Sequence, residues 1–236
     1  FKVSTMHKYF SEYKNINNGK EVACIACGPT VNYYTPSKDM ILCGINRATR
    51  KFDNLDYLFR HDNDTKDKNF DNEMNQYKGN NCTKFYGIHS PRRLRVNIQN
   101  GMHIDRIPAT SFYDENVRPF VLDDSFHSKW AIDLEAETFG DIGGVVFSAL
   151  QFLLYTHPKR IYLVGHDCTD GYCYKTDEKQ HFGYRIDWYR ELRDFAKRIY
   201  PDTEIVSVNP VGLKGIFRDI YTDEYIKSTG NTKPQL

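Results

Sequence analysis

No apolar run in this sequence approaches the roughly 18 residues that a membrane-spanning helix requires. The longest, residues 145–155, is interrupted by Ser148 and Gln151. An excess of one charge is missing too: 32 Lys and Arg stand against 31 Asp and Glu, a net +1, so no global field draws the chain to nucleic acid or an anionic surface. Any anion must therefore be held locally. The G-x-G-x-x-G fingerprint of dinucleotide folds is absent, and so is a Walker loop. The six cysteines (Cys24, Cys27, Cys43, Cys82, Cys168, Cys173) lack the dense, regular spacing of a disulfide framework, which fits a reducing compartment. Cys24-x-x-Cys27 has no second pair to complete a zinc site, and Cys24 falls in an apolar strand pattern, so core packing is the reading for it. Internal repeats and low-complexity tracts are likewise missing.

What is present is an apolar share of 40% with 17 Tyr and 15 Phe, enough for a buried sheet core, in a length of 236 residues that suits one α/β domain. The chain opens on Phe1 in place of methionine, which reads as a domain excised from something longer. Residues 1–20 read as an N-terminal helix or extension, 21–220 as the core and 221–236 as a frayed tail. Residues 21–26 (EVACIA), 40–45 (MILCGI) and 55–59 (LDYLF) are short apolar runs of the kind that make fully buried parallel strands. Residues 83–88 predict another strand, whereas 61–81 are polar and predict a surface helix or loop. The second half predicts a buried helix over 142–156, a strand at 161–164, an amphipathic helix over 187–200 and a strand at 204–208. Alternation of this kind predicts a Rossmann-like α/β fold, a mostly parallel sheet flanked by helices.

The residues with chemistry to offer gather at the ends of these strands. Gly28, Pro29 and Thr30 follow the first strand, where glycine lets backbone approach a ligand and the next amides and hydroxyl can face a phosphate. Asn46, with Arg47 beside it, follows the second strand and can bond ribose hydroxyls at the carboxyl edge where open α/β sheets collect ligands. The third strand runs into Asp62 and Asp64, either two hard oxygen ligands for a divalent cation or an Asp-rich turn. Gly143 and Gly144 open the buried helix and supply free amides at its positive end, with Asp141 read as the N-cap. Gly165, His166 and Asp167 end the next strand. Beyond them Tyr172 and Tyr174 can donate hydrogen bonds, and His181 is the candidate base, since histidine titrates near neutrality; His166 is its rival. Arg92, Arg93, Arg95, His103 and Arg106 form a local basic group suited to phosphate or acceptor contacts.

In their order these blocks resemble the bacterial sialyltransferases that extend lipooligosaccharides. Gly28-Pro29-Thr30 is similar to that family's Gly-Pro-Ser loop, Asn46 to its ribose-binding asparagine, and Gly143-Gly144 to its Ser-Gly helix start. Residues 161–167 (IYLVGHD) are similar to its I-Y-L-x-G-x-D strand, and Asn209-Pro210 to a late Asn-Pro near the final strand. The resemblance covers roughly residues 21–220. It implies a variant of the GT-A glycosyltransferase fold, Tyr172 or Tyr174 on the leaving phosphate, and His181 as base. Residues 137–141 (ETFGD), just before the Gly143-Gly144 helix start, carry no arginine where the family has one, and His61-Asp62 stands where the family has asparagine.

Two donors stay open: a cytidine monophosphate sialic acid, which requires no cofactor, and a uridine diphosphate sugar, with Mg²⁺ or Mn²⁺ at Asp62 or Asp64. The expected function is an inverting transfer of sugar to a hydroxyl of a bacterial surface glycan, free or lipid-linked. The expected place is the cytoplasm or the inner face of the bacterial membrane, reached through regions outside this chain. The alternatives are a pterin diphosphokinase-like enzyme, which shares the Gly-Pro-Ser loop, and a non-catalytic nucleotide-binding module of a polysaccharide-assembly protein.

Overall fold

Strands that must be dry on both faces read as unbroken apolar runs, and the centre of this molecule is made of them. The computed structural model describes residues 6–61, 69–89, 99, 107, 109–176 and 181–230. Among these, β1 (Glu21–Ile25), β2 (Ile41–Ile45), β3 (Tyr57–Arg60), β4 (Thr83–His89), β5 (Val117–Phe126), β6 (Phe139–Asp141), β7 (Arg160–Val164), β8 (Glu204–Val208) and β9 (Arg218–Ile220) form one sheet. Its order is β6-β5-β4-β3-β2-β1-β7-β8-β9, and every pairing is parallel. The sequence predicts a mostly parallel sheet, and the nine strands go further. This is a single α/β domain with helices on the sheet.

The pleat divides each central strand between two cores. Val22 and Cys24 of β1, Phe59 of β3 and Leu163 of β7 face one; Ala23 and Ile25, Leu58 and Val164 face the other. The chain lays β1 to β6 in one direction and then returns across β1 to lay β7 to β9. Right-handed crossovers therefore change face at the return. The first face takes the long helices α2 (Val145–Tyr155) and α3 (Ile186–Ile199), and the second takes α1 (Phe70–Gln76) with short 3-10 turns after β1 and β2.

Helix α2 is buried from Val146 to Tyr155, so its polar residues need partners inside. Gln151 meets that need in full. Its Oε1 accepts from Ala131 N (3.0 Å) and Gly140 N (2.9 Å), and its Nε2 donates to Gly140 O (2.9 Å), which ties the short strand β6 to the helix. Phe152 sits in a nest of rings, 4.6 Å from Phe85 and 5.3 Å from Phe59 between centroids.

The N-terminal segment belongs to this core. A 3-10 turn at Lys8–Tyr13 buries Phe10 completely, and His7, also fully buried, accepts from Val121 N at 2.9 Å through Nε2 while Nδ1 faces the carbonyls of Leu134 and Glu137. The tail is also more ordered than the sequence predicts: residues 223–229 form α4 (Asp223–Thr229), with the Thr222 hydroxyl accepting from Tyr225 N and Gly230 closing the helix at φ 68°. The predicted cap at Asp141 moves. Helix α2 starts at Val145 with Gly144 as its N-cap, and the Asp141 carboxylate accepts from Gly143 N at 3.3 Å instead.

Candidate functional site

In an open α/β sheet the loops diverge where strand order reverses, leaving a crevice at the carboxyl ends. Here that point lies between β1 and β7. The two strands are held together past their ends, Ala26 N donating to Val164 O and Gly28 N to Gly165 O, each at 2.9 Å. Glycine is required at position 28 because a Cβ there would lie 2.5 Å from Gly165 O and 2.6 Å from Asp167 Cγ. Gly165 itself has φ 71°, a left-handed backbone that favours glycine.

Asp167 turns back to the first loop. Its carboxylate accepts from Thr30 N at 2.9 Å and from the Thr30 hydroxyl, and both residues are buried. Burial pushes the Asp167 carboxyl above its ordinary 3.8, and the bonds from Thr30 act the other way. His166, its neighbour, is also buried: Tyr189 Oη lies 2.7 Å from Nδ1 and the Cys24 carbonyl 3.0 Å from Nε2, so both ring nitrogens are engaged within the fold.

Three carboxyl ends carry left-handed residues, Asn46 after β2 (φ 48°), Cys168 after β7 (φ 52°) and Asn209 after β8 (φ 50°). Such conformations cost energy and collect where a site imposes them. Asn209 is explained by the fold, since its amide bonds Thr222 N (2.8 Å) and Thr222 Oγ1 (3.0 Å). The Asn46 side chain forms no hydrogen bond among the described residues and stays half-exposed at the edge of the crevice. Arg47 is buried, its guanidinium 4.6 Å from the centroid of Phe70 and 5.7 Å from that of Tyr174.

The loop after β7 folds over this edge. Cys173 N donates to Cys27 O at 2.7 Å, which pins the loop to the end of β1. On either side Tyr172 and Tyr174 stack with centroids 5.0 Å apart and planes 16° from parallel. Burial raises the Tyr174 hydroxyl well above its usual range, so Tyr174 stays a neutral donor. The Tyr172 ring then meets Phe182 edge-on at 5.8 Å, which brings His181 to the stack.

His181 is exposed, and its Nδ1 lies 2.5 Å from Asp170 Oδ1. A carboxylate on Nδ1 fixes the ring and leaves Nε2 to work on a substrate. Gly183 keeps that nitrogen clear, because a Cβ there would stand 2.8 Å from it. Sequence reasoning singles out His181 as the candidate base but passes over Asp170 and Gly183 beside it; the available signal is a carboxylate in the same loop.

At the head of α2 the backbone is left-handed at Gly143 (φ 107°) and Gly144 (φ 156°). A third residue missed by sequence reasoning stands here. Arg185 comes from the turn before α3, and its guanidinium carbon lies 3.2 Å from where a Cβ of Gly144 would be. A cation thus reaches this helix start from another element, where the residues just before it, 137–141, have none. Asp62 and Asp64, the basic residues Arg92, Arg93, Arg95 and Arg106, and His103 lie outside the described residues.

No protein-family model matches this chain, and no curated protein matches its sequence. Among solved structures it is similar to the MAf glycosyltransferase from Magnetospirillum magneticum AMB-1, with a TM-score of 0.55 at 12% identity over 95% of this chain. At that identity the likeness is one of fold. The chain spans 39% of the length of that protein. Among the described residues, no helix is long and apolar enough to cross a membrane.

Proposed function

We propose that the chain is a glycosyltransferase that takes its sugar from a nucleotide donor. The observation that carries this reading is the crevice at the strand-order reversal, where the Gly28–Thr30 turn and the unengaged Asn46 amide stand beside a loop holding a Tyr pair and an oriented His181. The fold shared with a protein described as a glycosyltransferase supports it.

In this reading the nucleotide lies along Gly28, Pro29, Thr30 and Asn46, with Arg47 at its edge. The Thr30 amide and hydroxyl are bound to Asp167 and Gly28 N to Gly165 O, so these groups shape the turn, and the nucleotide lies against its backbone without taking hydrogen bonds from them. Tyr172 or Tyr174 donates a hydrogen bond to the leaving phosphate. His181 Nε2 takes the proton of an acceptor hydroxyl as its oxygen attacks the anomeric carbon, the bond to the nucleotide phosphate breaks, and configuration inverts.

The donor is a cytidine monophosphate sialic acid or a uridine diphosphate sugar, the latter with Mg²⁺ or Mn²⁺ at Asp62 or Asp64. The acceptor is a glycan, free or lipid-linked, met at the cytoplasmic face of a membrane.

Thermal unfolding with CMP, CMP-sialic acid, UDP, UDP-hexoses, GDP and ATP, each with and without Mg²⁺ or Mn²⁺, tests the donor directly. Stabilisation by CMP without metal supports the sialic acid donor, and metal-dependent stabilisation by UDP supports the other. ATP-selective stabilisation, with AMP released as diphosphate passes to a pterin, would favour the diphosphokinase class. Silence with every nucleotide overturns the proposal. With a donor in hand, His181→Ala should lower turnover by about two to four orders of magnitude and leave nucleotide stabilisation intact.

A further inference from the structure

Beyond His181 the carboxyl edge carries a group of rings that the core does not require. Phe126 ends β5 and is 60% exposed, and Tyr184, in the turn before α3, is 55% exposed. Both meet Trp188 on α3, Phe126 at 6.1 Å and 78°, Tyr184 at 5.4 Å and 84° between centroids. Trp188 is fixed from below by Phe147 of α2 at 5.8 Å, and Gly143 makes room for it, since a Cβ there would stand 2.4 Å from the indole. Rings from a strand end, a turn and a helix thus converge beside the helix start. Exposed aromatic groups that converge in this way mark recognition surfaces.

Arg185 stands within this group, and its charge faces no counter-ion among the described residues. Its guanidinium lies 4.7 Å from the centroid of Phe182 and 5.4 Å from that of Tyr184, and its Nε donates to Tyr184 Oη at 3.2 Å. No carboxylate pairs with it among the described residues, whereas Arg50, Arg60, Arg160 and Arg218 each face one. The stacking rings hold the guanidinium plane and leave its terminal nitrogens for a planar, two-point contact. The start of α2 adds positive potential at the same place.

We propose that Arg185, with Tyr184, Trp188 and Phe126, binds an acidic sugar residue of the acceptor. This rests on the glycosyltransferase reading and adds the chemical class of its acceptor. A pyranose ring has an apolar face of C–H groups that covers an aromatic ring, and a carboxylate on the sugar supplies the two oxygens that a guanidinium fork accepts. A neutral glycan would fill the rings and leave the cation unmatched.

Fluorescence of Trp188 reads the site directly, with Trp188→Phe as the control. The probes are two trisaccharides that differ only in a terminal glucuronate against a terminal glucose. The glucuronate form should bind at least about tenfold tighter to the unaltered protein. Arg185→Gln should remove that preference and leave the neutral form unchanged, and Phe126→Ala should weaken both. Equal affinity for the two trisaccharides overturns the proposal, as does a preference that survives Arg185→Gln. A dimer in sedimentation that Phe126→Ala dissociates also overturns it, because the rings would then meet a second copy of the chain. Nucleotide stabilisation on the same samples separates the two readings. If it persists while no acidic preference is seen, only the acceptor inference falls; if the preference is seen without it, only the donor reading falls.

Discussion

Thr30 gives both its backbone amide and its hydroxyl to the carboxylate of Asp167, joining loops 137 positions apart in the chain. The hydrogen bond from the amide is 2.9 Å long, and both side chains are buried. The turn at Gly28–Thr30 is therefore held in shape by the strand on its far side before any ligand arrives. Pre-ordering of this kind lowers the cost of binding.

Gly28→Ala should disturb that arrangement at its tightest point. The new methyl would press on Gly165 O and on Asp167, neither of which can move without opening the β1–β7 contact. Destabilisation of about 1–3 kcal/mol is expected in urea unfolding, typical of overpacking. Unchanged stability would mean that the two loops part more easily than their contacts imply.

The buried Asp167 makes stability depend on pH in a defined direction. Its carboxyl is raised above 3.8, chiefly by burial, so the folded state favours the protonated form. The contribution is complete below 3.8 and is lost as pH rises through the folded value. Asp167→Asn keeps an acceptor for Thr30 N and cannot ionise. Relative to the unaltered protein, this variant should gain stability as pH is raised from 3.8 toward neutrality, measured by urea unfolding across that range. A constant difference would contradict the assignment.

Glu204 acts with the opposite sign. The Arg218 guanidinium at 2.6 Å, and then Arg160 at 2.5 Å, hold its carboxyl down from 4.5 to about 2. Its contribution is present above 4.5 and fades as pH falls toward 2. The side chain is 38% exposed, so solvent screening keeps the effect below about 1 kcal/mol. Glu204→Gln should flatten that part of the acid-unfolding curve, and an unaltered curve would show that the pair contributes nothing measurable.

In the proposed mechanism Asp170, bonded to His181 Nδ1, positions the base. Asp170→Asn should lower kcat about tenfold to a hundredfold with KM little changed, and Asp170→Glu should restore part of it. Equal losses in both variants, or a loss confined to KM, would point to a role in loop shape instead.

The parts of the fold legible in the sequence are those where one physical demand dominates. The runs at 21–26 and 40–45 and the helical pattern at 187–200 read correctly because burial on two faces, or on one helical stripe, leaves an unmistakable order of residues. β5 does not read as a strand because it contains Arg118, Pro119, Asp123 and Asp124. Proline is tolerated there since β6 pairs with β5 only from Leu122 onward, and a missing donor at 119 falls where β6 has no partner for it. β6 and β9, at three residues each, are too short to show a period. At the site, Gly28 and Asn46 are visible because their positions follow strands. The Asp170–His181 pair and the approach of Arg185 to Gly144 depend on how a loop folds back, which no local spacing encodes.

The same strand order has a consequence for the birth of the molecule. β1 pairs with β7, and Glu21 and Arg160, opposite each other in that register, are 139 positions apart. During synthesis β1 to β6 can assemble outward from one another, but one flank of β1 stays bare until β7 emerges. A chain stopped before β7 would carry an open, apolar strand edge at what becomes the centre of the sheet, the place most liable to capture another unfinished chain. Closing that flank and forming the crevice are one event, so a ligand that fits the crevice would select only chains that have finished folding.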